Sequence, residues 1–214
     1  MFSTTFRKCA CAVAVIIYAI ILAMNLAGCS KLATDSANHV FVLASLIFCA
    51  VEWREHHDNA LLSFMALTLV ADVLSGFVAT FAAGVVVFFA SQIVLSLIIW
   101  RSNGKKHGVV LRAALIAAGL AAIIAAGVFS PLYAFGIVYF MWFVANVMQA
   151  LAAGNALPLR FRVGLVLYVL GDVCLIGNLL FAPAGLLGVI LTYGTWMVYL
   201  PGVLALALSP KERA

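Results

Sequence analysis

Charge is what this chain has least of. Asp, Glu, Lys and Arg make up 9% of its 214 residues against 67% hydrophobic residues, and mean hydropathy is +1.22, a balance outside the range of a water-soluble globular domain. Cysteines Cys9, Cys11, Cys29, Cys49 and Cys174 are odd in number and show neither a disulfide framework nor metal-ligand spacing. Histidines His39, His56, His57 and His107 read as lying in connecting segments, which leaves an intramembrane metal without its usual nitrogen ligands. No lysine falls inside an apolar span, which excludes a retinal-type Schiff base. With Arg112 counted among the cytoplasmic cations and so no arginine expected there either, an anionic cargo lacks a countercharge. The twelve basic residues form no basic helix face and no aromatic-interleaved platform, so the net charge of +5 does not point to nucleic acid.

What is present is a series of long apolar runs. They read as eight transmembrane helices, an all-α polytopic bundle in one membrane domain, with spans at 9–28, 40–51, 60–77, 80–100, 109–129, 131–153, 163–180 and 184–208. The second is the shortest and leads into the polar run Glu52-Trp53-Arg54-Glu55-His56-His57-Asp58, read as a loop. The first resembles a lipoprotein signal ending at Leu26-Ala27-Gly28-Cys29, but its length and the membrane character of everything after it favour a retained helix. With a cytoplasmic N-terminus, Arg7, Lys8, Arg54, Arg101, Lys105, Lys106, Arg112, Arg160, Arg162, Lys211 and Arg213 face inward and only Lys31 outward, as the positive-inside rule requires. A bacterial inner membrane is the expected location, and Lys105-Lys106-His107 is placed at anionic headgroups.

Two acids interrupt the apolar runs. Asp72 lies in ALTLVADVLSG and Asp172 in RVGLVLYVLGDVCLIG, each at an insertion cost of about 2.5–3.5 kcal/mol near the bilayer centre. They fall in the third and seventh helices, which run the same way, at the same depth. Thr68 and Tyr168 precede them by four residues on the same helical face, and Gln92 and Thr192 follow them by twenty. This spacing suggests parallel half-repeats, 9–100 and 109–208, with a shared polar site between them. For Gln92, Asn146, Gln149 and Asn178, interhelical hydrogen bonding is expected; for the aromatic run from Tyr133 to Trp142, packing.

These segments carry a resemblance. Ala71-Asp72-Val73-Leu74 followed by Phe81, Gly84 and Phe88, and Gly164 to Asp172 followed by Thr192-Tyr193, are similar to the two signatures of the YhhN-like lysoplasmalogenase family of eight-helix membrane proteins. Ala71, Gln92 and Met197 stand where that family has glycine, histidine and glutamine. The resemblance implies hydrolysis of the vinyl ether bond of a lysophospholipid-like substrate, with Asp72 and Asp172 catalytic and no cofactor. It brings Gln92, Thr192, Tyr168 and Tyr193 in as orienting groups, with Thr68 beside them, and Trp196 and Phe88 against the acyl chain. An enol ether hydrolyses by protonation at carbon, so one protonated and one ionised carboxyl suit the task, as in a glycosidase. A proton-coupled carrier using the same aspartates, or a non-catalytic lipid-sensing scaffold, remains open on the residues alone. No protein partner is indicated; membrane lipids surround the chain.

Overall fold

The computed structural model describes residues 4–103, 108–181 and 185–209. They form eight α-helices: α1 (Thr4–Leu26), α2 (Lys31–His56), α3 (Asn59–Ser75), α4 (Phe81–Asn103), α5 (Val109–Ala125), α6 (Pro131–Ala152), α7 (Leu159–Phe181) and α8 (Gly185–Ala207), with short 3-10 turns at Val78–Thr80 and Gly154–Ala156. No strand occurs among the described residues. Five helices, α1, α2, α4, α6 and α8, are long and apolar enough to cross a membrane, while α3 and α5 are shorter apolar helices. The surface fits that reading: Val110 is 81% and Leu186 75% exposed, whereas Gln92, Ser96 and Asn146 are fully buried. Apolar groups outside and polar groups inside is the distribution expected where lipid, not water, is the solvent. Lys105, Lys106, His107, Lys211 and Arg213 lie outside the described residues.

The helix ends follow local chemistry. Ser30 caps α2 by accepting from the Ala33 N–H at 3.3 Å, and Asp58 caps α3 by accepting from Leu61 at 3.1 Å. Ser130 caps α6, with Pro131 in its first turn, where a missing N–H costs nothing. His57, in the left-handed conformation at φ 48°, closes α2 against α3.

The second helix departs most from the sequence reading. It begins nine residues before Val40 and runs on to His56, so the stretch from Glu52 to His56 is helix and only His57 and Asp58 turn. The cause is an ion pair: Arg7 of α1 donates to Glu52 from Nε at 2.9 Å and from Nη2 at 2.7 Å. Glu52 is therefore a third acid buried in a helix, and His39 lies inside α2 rather than in a connection.

The tightest pairs are the hairpins α3–α4 and α7–α8. A side chain at Gly84 would put its Cβ 2.7 Å from the Ser75 nitrogen, and one at Gly171 would come 2.9 Å from Tyr199 Cβ; small residues let the backbones approach, as in membrane helix pairs generally. The other pairings are α1 on α2, α5 on α6, α2 on α3, α6 on α7, α2 on α8, α6 on α4 and a smaller contact of α3 with α8. Advancing every label by four, with α8 followed by α1, exchanges these pairings except α3 with α8, whose counterpart, α7 with α4, is not among the larger contacts.

Candidate functional site

Asp72 is the fourteenth residue of α3 and Asp172 the fourteenth of α7. Both are buried, at 6% and 7% exposure. Each carboxylate is held by a tyrosine from a neighbouring helix: Tyr199 Oη of α8 donates to Asp72 Oδ2 at 2.6 Å, and Tyr139 Oη of α6 donates to Asp172 Oδ2. Tyr168, fully buried, lies within electrostatic reach of both acids, and Asp72 within reach of Asp172. The Tyr168 ring stands edge-on to Tyr199 at 4.8 Å and to Phe143 at 4.9 Å. The two acids thus face one core, bordered by three phenols.

The sequence reading named some of these neighbours and missed others. Thr68 and Tyr168 are buried there, but neither hydroxyl serves the aspartate four residues on; the two sit beside one another and Tyr199 instead. Phe88 stacks on Tyr139 at 5.9 Å, and Trp196 stands edge-on to Tyr199 at 5.7 Å. Gln92 turns away from the carboxylates: its Oε1 accepts from Asn146 at 3.2 Å. Thr192 and Tyr193 are exposed and sit apart. Thr192 shares a face with Tyr199 but lies two turns away along α8, about 10 Å at 1.5 Å per residue. Tyr139, assigned to packing, is instead the donor to Asp172. Tyr199, the donor to Asp72, was not foreseen, nor was His39. Its Nε2 lies 3.3 Å from the Asp72 carbonyl oxygen, which can only accept, so the ring carries its proton there.

Comparison with protein-family models, curated proteins and solved structures finds no match. The chemistry of the site therefore rests on its own geometry.

A second polar cluster lies toward the junction of α4 and α5. Arg112, counted from the sequence among the loop cations, is buried at 3% exposure. Its Nη2 donates to Asn146 Oδ1 at 2.6 Å, and to Ser96 Oγ and Gln149 Oε1 at 3.3 Å. Its guanidinium carbon stands 4.9 Å from the Trp142 ring and 5.0 Å from that of Trp100, two cation–π contacts. The expectation that no arginine enters the bundle fails here, because the apolar run begins at Val109 and carries Arg112 inward with the first turn of α5.

Two cavities open elsewhere. One of about 540 Å³ lies among His57, Asp58, Arg101, Pro158 and Phe161. The other, about 350 Å³, lies among Asn178, Gly188, Thr192 and Tyr193. Neither is lined by Asp72 or Asp172.

Proposed function

We propose that this chain is an integral membrane hydrolase that cleaves the vinyl ether bond of a lysoplasmalogen-like single-chain lipid, in keeping with the family resemblance of its two aspartate segments. The observation that carries this reading is the pair of buried carboxyls, each gripped by a tyrosine on a neighbouring helix and both bordering Tyr168. One carboxyl gives its proton to the β-carbon of the enol ether. The resulting oxocarbenium ion is stabilised by the other, ionised carboxylate, which then takes a proton from the attacking water. The hemiacetal collapses to a fatty aldehyde and a glycerophospho-alcohol, so one water is consumed and the proton returns to the site. Each phenol O–H occupies one carboxylate oxygen, and no hydrogen bond to the other oxygen occurs among the described residues, which leaves it for the reaction. Phe88 and Trp196 offer apolar surface beside the acids.

The same reading takes all eight helices across the bilayer of a bacterial inner membrane, with the N-terminus cytoplasmic and the halves 9–100 and 109–208 as an internal repeat. The exchange of all the larger helix pairings but α3 with α8 under a shift of four labels supports the repeat. A retained first helix is supported by the Arg7–Glu52 pair and by Tyr18 donating to the Met197 carbonyl at 3.0 Å.

The test is aldehyde release from a lysoplasmalogen by the purified protein, with Asp72→Asn and Asp172→Asn as controls that keep side-chain shape. Release by the wild type and its loss in both variants is expected; turnover undiminished in both sinks the carboxylate mechanism. A proton-coupled carrier is the second reading, favoured by one observation: Arg112 supplies the buried countercharge that the sequence had seemed to lack. Substrate-dependent proton flux in proteoliposomes without aldehyde release would select it.

A further inference from the structure

The Arg112 cluster is electrostatically unfinished. A buried arginine ordinarily faces a carboxylate, yet among the described residues none meets it, and its acceptors are neutral: Asn146, Ser96 and Gln149. Those acceptors are shared, because Asn146 Oδ1 also takes the Ser96 hydroxyl at 2.8 Å and Gln149 Oε1 also takes the Trp100 indole N–H at 3.1 Å. Donors are left over. Arg112 Nε and Nη1 and Gln149 Nε2 are all buried without a partner. Arg112 Nη1 and Gln149 Nε2 crowd the same point: a Cβ on Gly108 would lie 1.9 Å from the first and 1.7 Å from the second.

The helix adds to the imbalance. Arg112 is the fourth residue of α5, whose first turn has no acid and whose N-cap, Gly108, makes no side-chain hydrogen bond. A cation at a helix N-terminus stands at the positive end of the dipole, where an anion is favoured. A buried cation, two unsatisfied donors meeting at one point and a helix start without a side-chain cap thus coincide, and one added anion there would answer all of them.

We propose that Arg112, Gln149 and the start of α5 form a binding site for a phosphate-class oxyanion, either free phosphate or the phosphate of a single-chain lipid headgroup. Arg112 Nη1 and Gln149 Nε2, drawn to one point beside Gly108, present the charged and the neutral donor that a phosphate oxygen would take. Trp100 and Trp142 both lie against the guanidinium. The site stands whether or not the chain cleaves vinyl ethers. If it does, the separation is apt: Asn146 lies two turns along α6 from Tyr139, about 10 Å, a span that a glycerol backbone, a phosphate and their flanking contacts would fill.

The experiment uses the full chain in phosphate-free detergent and reads the tryptophan emission that Trp100 and Trp142 place beside Arg112. Three probes are titrated: inorganic phosphate, an acyl lysophosphatidylethanolamine that has no vinyl ether to cleave, and 1-monoacylglycerol, which lacks phosphate. A saturable change with inorganic phosphate assigns a free-phosphate site. A change with the lysophospholipid alone assigns the headgroup. In either case Gln149→Glu, which places a carboxylate beside Arg112, should weaken binding at least about tenfold, the scale of a lost charge-assisted contact. That variant should also melt no lower than the wild type without phosphate, so its loss of binding is not a loss of fold. Arg112→Lys, which keeps the charge but loses the Nη1 donor held beside Gln149, should bind more weakly than the wild type. No saturable change with either phosphate-bearing probe, an equal change with monoacylglycerol, or undiminished binding in Gln149→Glu overturns the assignment. Turnover plays no part in this readout, so failure of the hydrolase reading would leave it standing.

Discussion

Tyr199→Phe tests the paired-carboxylate site at a single atom. The ring is fixed by its neighbours, 4.8 Å from Tyr168 and 5.7 Å from Trp196, and phenylalanine keeps both contacts. What disappears is one O–H donated to Asp72 Oδ2 at 2.6 Å. A hydrogen bond to a charged group contributes about 1.5–3 kcal/mol, and about 1.4 kcal/mol is tenfold in rate. If Asp72 works as or through its ionised form, kcat/KM for aldehyde release should therefore fall roughly 10- to 150-fold. The assay is run well below the thermal transition of the variant, since loss of a buried partner also lowers stability by about 1–3 kcal/mol. Met197→Ala, on an exposed position two residues away, serves as the control and should stay within about twofold. A folded Tyr199→Phe variant with kcat/KM within about twofold of wild type would refute the argument, because the hydroxyl would then be packing ornament on an acid that does no chemistry.

Three further outcomes follow from the packing. Gly171→Ala should lower stability by about 1–3 kcal/mol, read as a drop in thermal midpoint, because its Cβ would stand 2.9 Å from Tyr199 Cβ and 3.1 Å from the Thr195 carbonyl oxygen; it should reduce activity too, by shifting Tyr199. Glu52→Ala removes the carboxylate facing Arg7, and since Arg7 is a quarter exposed the cost should be about 1–3 kcal/mol rather than that of a fully buried pair, seen as faster proteolysis near α1. Thr192→Ala, at an exposed position, should leave aldehyde release within about twofold of wild type; a larger loss would mean that the groove beside Asn178 takes part in the reaction.

Counting along the chain was enough to give both acids the same register, the fourteenth residue of α3 and of α7, because register depends only on where each helix starts. Their partners were not legible that way. Tyr139 and Tyr199 reach the carboxylates across α6 against α7 and α8 against α3, and how α8 lies is set by contacts such as that of Gly171 of α7 with Tyr199, not by the period of one helix. Thr192 shows the limit from the other side: it has the right face and the wrong turn. Glu52 and His39 were misread for a different reason. Hydropathy ends a span at the first polar run, whereas the helix continues wherever a buried partner such as Arg7 accepts the charge. Arg112 escaped notice because Lys105, Lys106 and His107 precede it, and a cation after a basic loop reads as more loop.

On the proposed repeat, equivalent positions do not keep equivalent company, and this bears on how one site can hold two roles. Tyr139 lies one hundred residues after His39, the interval that separates Asp72 from Asp172. Yet Tyr139 donates to the Asp172 carboxylate, whereas His39 donates only to the Asp72 backbone. Conversely, the residue one hundred before Tyr199 is Ile99, buried and without a hydroxyl to offer Asp172. Asp72 is thus served from α8 and Asp172 from α6, against different surroundings. A reaction that needs one proton donor and one carboxylate acceptor requires such a difference, since two identical environments would give no preferred direction for the proton. Asp72→Asn and Asp172→Asn should accordingly lower kcat/KM by factors at least about tenfold apart, the acid being irreplaceable at carbon protonation and the base partly replaceable by bulk water. Losses equal within about twofold would mean that the broken symmetry has no bearing on the chemistry.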